Sequence, residues 1–328
     1  MNIDRRDFFK IFSAGVVTAS STTNVIAREP KNRLKDAVGI LYDATLCIGC
    51  KACEVGCKIL NNKTAEHKIE KELGVPKSWD SASDLSVDTL NKIKVYKNGN
   101  DFSFVKKACM HCVDPDCVSV CPTTALTKNQ TNGIVSWDID ACCGCRYCQM
   151  ACPFNIPKFE FGKAFPELKK CEMCQHLIAD GGIPGCCESC PCGASIFGNV
   201  EDLLQEAHRR LNSGIGEEYN FPISELESQY RTTKPISKYV NYVYGEHENG
   251  GTQYIMLSAI PFEKLGMPIL PGQSEAVLSE GIQHTLYKGL IAPFVLFAWL
   301  AFGAHRSLKN ESTELDTESD EKKGGNNE

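Results

Sequence analysis

The sequence predicts an α+β fold organised around cysteine loops, with β-hairpin insertions and a single C-terminal transmembrane helix. Three observations support this: all nineteen cysteines of the 328-residue chain lie between Cys47 and Cys192, short apolar strand-like segments precede the cysteine runs, and a long apolar segment follows at residues 285–304. A composition of 42% hydrophobic and 23% charged residues excludes collagen-like, coiled-coil and wholly disordered chains. A net charge of −6 argues against nucleic-acid binding, which normally requires a basic face.

Residues 1–27 have the features of an export leader. An arginine pair, Arg5 and Arg6, is followed by Phe-Phe-Lys, then by an apolar stretch of small residues at 11–20 and a small-residue cleavage site ending at Ala27. The arginine pair resembles the twin-arginine export signal. That resemblance implies export to the bacterial periplasm of a chain already folded around its cofactors. The alternative is a solvated basic helix.

Sixteen of the cysteines fall into four groups of four. The groups read Cys47-x2-Cys50-x2-Cys53-x3-Cys57, Cys109-x2-Cys112-x4-Cys117-x3-Cys121-Pro122, Cys142-x2-Cys145-x2-Cys148-x3-Cys152-Pro153, and Cys171-x2-Cys174-x11-Cys186-x3-Cys190-Pro191. The third group has the spacing of a bacterial ferredoxin run, in which the fourth cysteine binds the other cluster of a pair. Sixteen thiolates suffice for four [4Fe-4S] clusters. The spacing leaves Cys143, Cys187 and Cys192 as packing residues or weakly reactive thiols.

An internal repeat indicates how the groups pair. Residues 39–43 before the first group parallel residues 133–138 before the third, and a lysine pair precedes both the second group and the fourth. The second and third groups then form one two-cluster unit, and the first and fourth form another around it. Exchanging the fourth cysteines predicts four ligand sets: set one is Cys47, Cys50, Cys53 and Cys190; set two is Cys57, Cys171, Cys174 and Cys186; set three is Cys109, Cys112, Cys117 and Cys152; set four is Cys121, Cys142, Cys145 and Cys148.

Other types of cysteine chemistry fit the sequence less well. A disulfide scaffold suits the periplasm, but nineteen is an odd number. Zinc sites favour paired C-x2-C motifs over four-cysteine runs with a trailing proline. Covalent haem requires C-x-x-C-H, which the sequence lacks. His111 is expected at the surface or beside a cluster. Basic residues flank the groups, either as solvated charge or as groups that offset cluster charge: Lys51, Lys58, Lys106, Lys107, Arg146, Lys169 and Lys170.

The remaining chain divides by pattern into a cluster domain, 28–198, with an insertion at 58–107, and an extension, 199–284. Alternation from Ile93 to Val105 around Asn98-Gly99 predicts a β-hairpin within the insertion. Asn199 can cap a helix that ends near Leu211. A second hairpin is expected from residues 239–244 and 253–259. No nucleophile–base pair, phosphate loop or carboxylate pair is evident, so we expect no catalytic residues.

The apolar segment 285–304 contains one charged residue, Lys288. The segment is long enough to span a membrane. A buried core helix is the alternative. The polar tail 305–328 begins with Arg306 and Lys309, which places the tail in the cytoplasm by the positive-inside tendency. The body is then periplasmic and anchored to the inner membrane.

Taken together, these motifs resemble the four-cluster, ferredoxin-type electron-transfer subunits of bacterial respiratory oxidoreductases. The leader, the segments 250–253 and 282–289, and the C-terminal anchor are most similar to HybA-type subunits of periplasmic nickel–iron hydrogenase-2. The resemblance implies tandem ferredoxin-like units forming two nested two-cluster halves, with no catalysis by this chain. It also implies reversible electron transfer in anaerobic respiration between the hydrogenase small and large subunits and an integral membrane partner that reduces quinone. The same role in a formate, nitrite, sulfur-compound or dimethyl sulfoxide-type enzyme is the alternative, and a structural zinc or disulfide protein is a further one.

Overall fold

A computed structural model describes residues 27–61, 83–161, 167–284, 294 and 296–306. The predicted leader therefore lies outside the described residues except for Ala27. So do residues 285–293 and 295 of the predicted span and residues 307–328 of the tail. By contact density, residues 29–277 form one compact unit, and the residues on either side belong to a second unit.

The secondary structure consists of short elements connected by the cysteine loops. The helices are α1 (Ala52–Leu60), α2 (Asp116–Ser119), α3 (Tyr147–Ala151), α4 (Gln175–Ala179), α5 (Gly185–Glu188) and α6 (Val200–Asn212), with a 3₁₀ turn at Glu248–Gly250. The strands are β1 (Val38–Asp43), β2 (Lys92–Asn98), β3 (Asp101–Lys107), β4 (Leu126–Lys128), β5 (Val135–Trp137), β6 (Lys158–Phe159), β7 (Leu168–Lys169), β8 (Ser195–Asn199), β9 (Glu218–Pro222), β10 (Ser224–Glu225), β11 (Arg231–Pro235) and β12 (Tyr254–Leu257). Residues 275–284 and 296–306 are also helical. This mixed content agrees with the predicted α+β class.

A four-stranded sheet in the order β10-β8-β1-β12 supports the first cysteine loop. Strand β1 pairs antiparallel with β8 and parallel with β12. Helix α6 packs on this sheet through Val200, Leu203 and Ala207, each fully buried. Apolar residues recur every three to four positions along the helix, so they line one side of α6, and that side faces the sheet.

Two sequence predictions outside the cysteine groups are confirmed. Strands β2 and β3 form the expected hairpin, with Asn98 opposite Asp101. Helix α6 begins where predicted, because the Asn199 side chain accepts a hydrogen bond from the backbone of Glu201 at 2.9 Å. Buried Glu54 of α1 joins the hairpin to the first cysteine loop, since it accepts a hydrogen bond from the Ile93 backbone at 2.7 Å.

The second predicted hairpin is largely wrong. Residues 239–244 contain no strand, and Tyr244 makes only an isolated antiparallel bridge to Met256. Strand β12 instead adds parallel to β1, with Tyr254 opposite Ile40. The four residues of β12 are all buried, because this apolar strand packs within the core sheet rather than against a neighbouring strand of a hairpin. Strand β12 lies in the predicted extension, so the extension and the cluster domain share one sheet.

Of the predicted span, the structure describes residues 294 and 296–304. In the part of the chain that the structure describes, no helix is long and apolar enough to cross a membrane.

Candidate metal centres

The first and third cysteine groups adopt the same backbone conformation. Gly49 and Gly144 have φ values of 70° and 69°, and the residues two positions later, Lys51 and Arg146, have φ values of 58° and 67°. The left-handed glycine turns the chain between the first and second cysteines of each run, and the left-handed basic residue turns it between the second and third. The equal spacing in the sequence therefore produces equal loops, each followed by a helix.

Set one brings its fourth cysteine from the far end of the cluster region. Burial raises the pKa of Cys47, and the neighbouring thiols of Cys190 and Cys50 raise it further. Burial also raises the pKa of Cys53 to about 12, and Cys190 and Cys47 are among the thiols that add to the shift. Cys190 thus lies beside the first loop, although it follows Cys47 by more than 140 residues in the sequence.

Set two joins the last cysteine of the first group to the fourth group. Burial raises the pKa of Cys57, and the thiols of Cys186 and Cys174 raise it further. Burial raises the pKa of Cys171 as well, and Cys57 is the next cause. The four thiols of this set therefore lie together in the interior.

Set three has the corresponding arrangement. Burial raises the pKa of Cys112, followed by the thiols of Cys152, Cys117 and Cys109. The pKa of Cys152 is raised to about 11 by burial, and Cys109 contributes to this shift. The fourth cysteine of the third group is thus brought to the loop of the second group.

Set four is the most exposed of the four. Burial raises the pKa of Cys148 to about 12, and the thiols of Cys121, Cys142 and Cys145 raise it further. Cys145 is exposed, and Cys121 and Cys142 are half-buried. Of the four sets, this one presents the most thiol surface to solvent.

The sets follow one another in a line. In three places a thiol of the neighbouring set adds to the effect of burial: Cys186 raises the pKa of Cys53, Cys109 that of Cys171, and Cys148 that of Cys117. These electrostatic influences relate set one to set two, set two to set three, and set three to set four. Every set includes at least one half-buried cysteine, and set four also includes the exposed Cys145.

Three of the flanking lysines are buried: Lys58, Lys106 and Lys170. Burial lowers the pKa of Lys106, but the neighbouring Cys186 thiolate and other anionic groups more than offset burial, so the pKa stays well above its ordinary value. Its ammonium donates to the Ser195 hydroxyl at 3.1 Å. A buried cation beside two thiol sets offsets thiolate charge. Of the two roles expected for the flanking basic residues, Lys106 therefore has this one and is not a solvated surface charge.

Of the two positions expected for His111, at the surface or beside a cluster, the surface position is wrong. Its side chain is 1% exposed, and its Nδ1 accepts a hydrogen bond from the Val135 backbone at 3.1 Å. Burial, followed by the nearby ammonium groups of Lys170 and Lys128, lowers the pKa of His111 well below the ordinary value. The ring is therefore neutral and is held against strand β5.

The three remaining cysteines differ from one another. Cys187 is fully buried and Cys192 is 8% exposed, as packing residues would be, whereas Cys143 is exposed. Cys192 also contacts a predicted ligand, since its Sγ lies 3.8 Å from the Cys190 Sγ. The hydrogen bond with Cys192 lowers the pKa of Cys190 to about 5, although burial acts to raise it. Cys192 therefore lies within hydrogen-bond distance of a predicted ligand.

Sequence reasoning missed Asn61. Its side-chain amide donates to the Cys174 Sγ at 3.3 Å and to the Cys57 backbone carbonyl at 2.8 Å. It thereby links the end of α1 to the fourth group. No local pattern indicates this role, because Asn61 and Cys174 are 113 residues apart.

The donor chemistry of these sets fits iron–sulfur clusters. Each set supplies four thiols, the ligand number of a [4Fe-4S] cluster. Within the described residues, no three His, Cys, Asp or Glu side chains converge on a point that one metal ion could occupy. A cluster does not need such convergence, because each thiolate binds a separate iron. The ligand roles of the sixteen individual cysteines stay predictions.

Comparison with known proteins places this chemistry in a family. The 4Fe-4S dicluster domain family matches residues 100–200. The chain is 40% identical over 324 residues to the hydrogenase-2 operon protein HybA of Escherichia coli, covering 94% of this chain and 97% of the relative. It is 33% identical over 200 residues to the iron–sulfur subunit of the nitrate-inducible formate dehydrogenase of Escherichia coli, covering 60% of this chain and 66% of the relative. It is also 32% identical over 203 residues to the formate dehydrogenase iron–sulfur subunit of Haemophilus influenzae, covering 60% and 62%.

Proposed function

The chain belongs to the family of HybA-type iron–sulfur electron-transfer subunits, and on that premise we propose that it carries electrons between a nickel–iron hydrogenase and a membrane partner that reduces quinone. It is a non-catalytic subunit of an oxidoreductase, with residues that fit four [4Fe-4S] clusters. When bound, such clusters supply one-electron carriers. The chain's own residues hold, separate and insulate them.

The linear order of the four thiol sets is the observation that carries this proposal. The thiol of Cys186 raises the pKa of Cys53, and that of Cys148 raises the pKa of Cys117, so each outer set lies near an inner one. Buried thiols predominate in set two, whereas Cys145 of set four is exposed. A line of cluster sites suits transfer between two partners that bind at different places.

The extent of the similarity favours a hydrogenase as the catalytic partner. The match to HybA covers 94% of this chain, including the extension beyond residue 199, whereas the match to the formate dehydrogenase subunit covers 60%. The proposed partners are the hydrogenase small and large subunits and an integral membrane subunit that interacts with quinone.

We also propose the location of the chain from its sequence. The twin-arginine leader at residues 1–27, the span at 285–304 and the tail at 305–328 support a periplasmic body anchored to the inner membrane. Protease added to intact spheroplasts is expected to digest the body and to leave the tail protected. Digestion of the tail together with the body would contradict this topology.

Hydrogen-dependent quinone reduction in membranes tests the electron-transfer role. Membranes with and without this chain are compared, and hydrogen-dependent dye reduction is measured in the same samples. We expect quinone reduction to disappear without the chain while dye reduction persists, because the dye takes electrons from the hydrogenase directly. If both activities are unaffected, the hydrogenase assignment is wrong, and formate, nitrite and sulfur substrates are the next to test.

A colour and composition measurement separates the proposal from a structural zinc or disulfide role. Purified protein is expected to be brown and to contain acid-labile sulfide with iron in equal amounts. A colourless sample that contains zinc would contradict the cluster chemistry.

A further inference from the structure

His111 lies inside a predicted ligand loop, between Cys109 and Cys112 of set three. Its backbone is left-handed, with φ of 47°, and its side chain is 1% exposed. The ring is held by one described hydrogen bond, from the Val135 backbone N–H to Nδ1 at 3.1 Å.

That single bond determines the tautomer of the ring. A backbone N–H can only donate, so Nδ1 is the acceptor and carries no proton. The neutral ring then has its proton on Nε2. Nε2 is buried and has no hydrogen-bond partner among the described residues. Leaving a buried donor unsatisfied is unfavourable, so the position favours an acceptor that these residues do not supply.

The internal repeat contains a matched position without a donor. Met173 follows Cys171 by two residues, as His111 follows Cys109, and it is also left-handed, with φ of 52°. Met173 is also 1% exposed. Its thioether has no N–H or O–H group. The two loops therefore place a donor beside set three and a non-donor at the same position beside set two.

We propose that His111 Nε2–H donates a hydrogen bond to a sulfur of the cluster that set three binds, and that this bond raises the reduction potential of that cluster. The physical reason is that reduction adds negative charge to the sulfurs, which a donor stabilises. The proton stays on Nε2 throughout. This role rests on the assignment of set three as a ligand set, and it is independent of which enzyme supplies the electrons.

Pulsed electron paramagnetic resonance on the wild-type holoprotein tests the hydrogen bond directly. The protein is reduced after growth with histidine labelled with ¹⁵N in the imidazole ring only. We expect a ¹⁵N coupling on one cluster, the one whose signal is missing in Cys112→Ser. The coupling should be absent in His111→Gln, which has no ring nitrogen. Absence of any ring-nitrogen coupling in the wild-type protein would overturn the proposal.

Redox titration of two variants tests the consequence. His111→Met places the residue of the matched loop beside set three, and we expect the reduction equilibrium constant of that cluster to fall about tenfold, which corresponds to about 59 mV for one electron. His111→Gln keeps a side-chain N–H donor and should shift the potential less. Met173→Leu is the control, because it replaces one non-donor with another.

An unchanged potential in His111→Met, or an equal shift in all four clusters, would overturn the proposal. Iron and sulfide contents would show whether His111→Met still binds four clusters. If it does not, the ¹⁵N coupling measured in the wild-type protein still tests the proposed hydrogen bond.

Discussion

The first and third cysteine groups share their spacing but differ in their surroundings. In both, an aspartate four residues before the first cysteine of the loop forms a local turn by accepting a backbone hydrogen bond from two residues on: Asp43 from Thr45 at 3.0 Å and Asp138 from Asp140 at 2.9 Å. In the first, the aspartate is fully buried; in the third, it is exposed. The same local motif is therefore used once in the core and once at the surface.

The helices after the two loops also differ. Helix α1 has nine residues and continues through Cys57 and Lys58, whereas α3 has five residues and ends at Cys152, which has the extended conformation. Proline follows Cys152, and the residue before a proline avoids helical geometry. The cysteine spacing thus determines the conformation of the loop. The residue after the fourth cysteine determines the length of the helix, and the elements packed around the loop determine whether its aspartate is buried.

Arg210 provides the strongest expected contrast, because it secures only the first loop. Its guanidinium is fully buried and donates to Asp43 at 3.1 Å and to Glu206 at 2.8 Å. Arg210→Met leaves two buried carboxylates without this partner, and we expect a stability loss of about 3–5 kcal/mol. Heating of the holoprotein, followed by cluster absorbance, should show earlier loss of the set one cluster than of the set four cluster.

The matched control is Arg209→Met. Arg209 pairs with the same Glu206 at 2.8 Å, but its side chain is 63% exposed. Exposed pairs contribute about 0–1 kcal/mol, so this variant should resemble the wild type. Equal effects of the two substitutions would show that the buried charge cluster does not stabilise the first loop.

Lys58→Pro tests whether the proline of the third group is what shortens its helix. The change puts a proline directly after Cys57, inside α1, where it removes a helical hydrogen bond and costs about 3 kcal/mol. We expect loss of the cluster bound by set two, measured as about one quarter of the iron. Lys58→Met is the control for loss of the ammonium, and equal iron loss in both variants would contradict the helix explanation.

Gly49→Ala should have an intermediate effect. A Cβ at Gly49 would overlap the Phe104 ring, and the left-handed backbone adds about 1–2 kcal/mol of strain. Gly99→Ala has a similar φ of 58° but open space around it, so it isolates the backbone cost. Thermal midpoints should fall further for Gly49→Ala, and an equal fall would indicate that the ring moves aside freely.

The smallest effect is expected at Cys143. It follows the first cysteine of the third group, where the first group has Ile48, which is 61% exposed. Cys143→Ser should therefore keep four clusters and unchanged stability. In the native holoprotein, a maleimide reagent should label the wild-type chain once and Cys143→Ser not at all, since Cys187 is fully buried. Iron loss in Cys143→Ser would identify Cys143 as a ligand.

Local patterns predicted the parts of the fold that local forces determine. The Asn98-Gly99 turn indicated the β2–β3 hairpin, and Asn199 indicated the start of α6, because turn and cap preferences act within a few residues. The parallel pairing of β12 with β1 could not be predicted in this way, since it joins segments more than 200 residues apart. The burial of His111 has the same origin: its environment comes from strand β5, not from its own loop.

The thiol sets likewise combine features that local spacing predicts with features that depend on distant parts of the chain. Spacing gave the three cysteines that share each loop, but which distant cysteine completes a set depends on the chain path between loops. The internal repeat supplied that path, and the structure brings Cys190 beside Cys47 and Cys152 beside Cys112. Neither the exposure of Cys145 nor the linear order of the sets could be inferred from spacing.

Electron paramagnetic resonance of reduced single-cysteine variants tests the exchange of fourth cysteines most directly. Cys190→Ser and Cys47→Ser should alter the same cluster signal, and Cys186→Ser and Cys57→Ser should both alter a different one. If Cys190→Ser instead alters the signal that Cys186→Ser alters and leaves the Cys47→Ser signal intact, each run binds its own cluster and the ligand sets proposed for this chain are wrong.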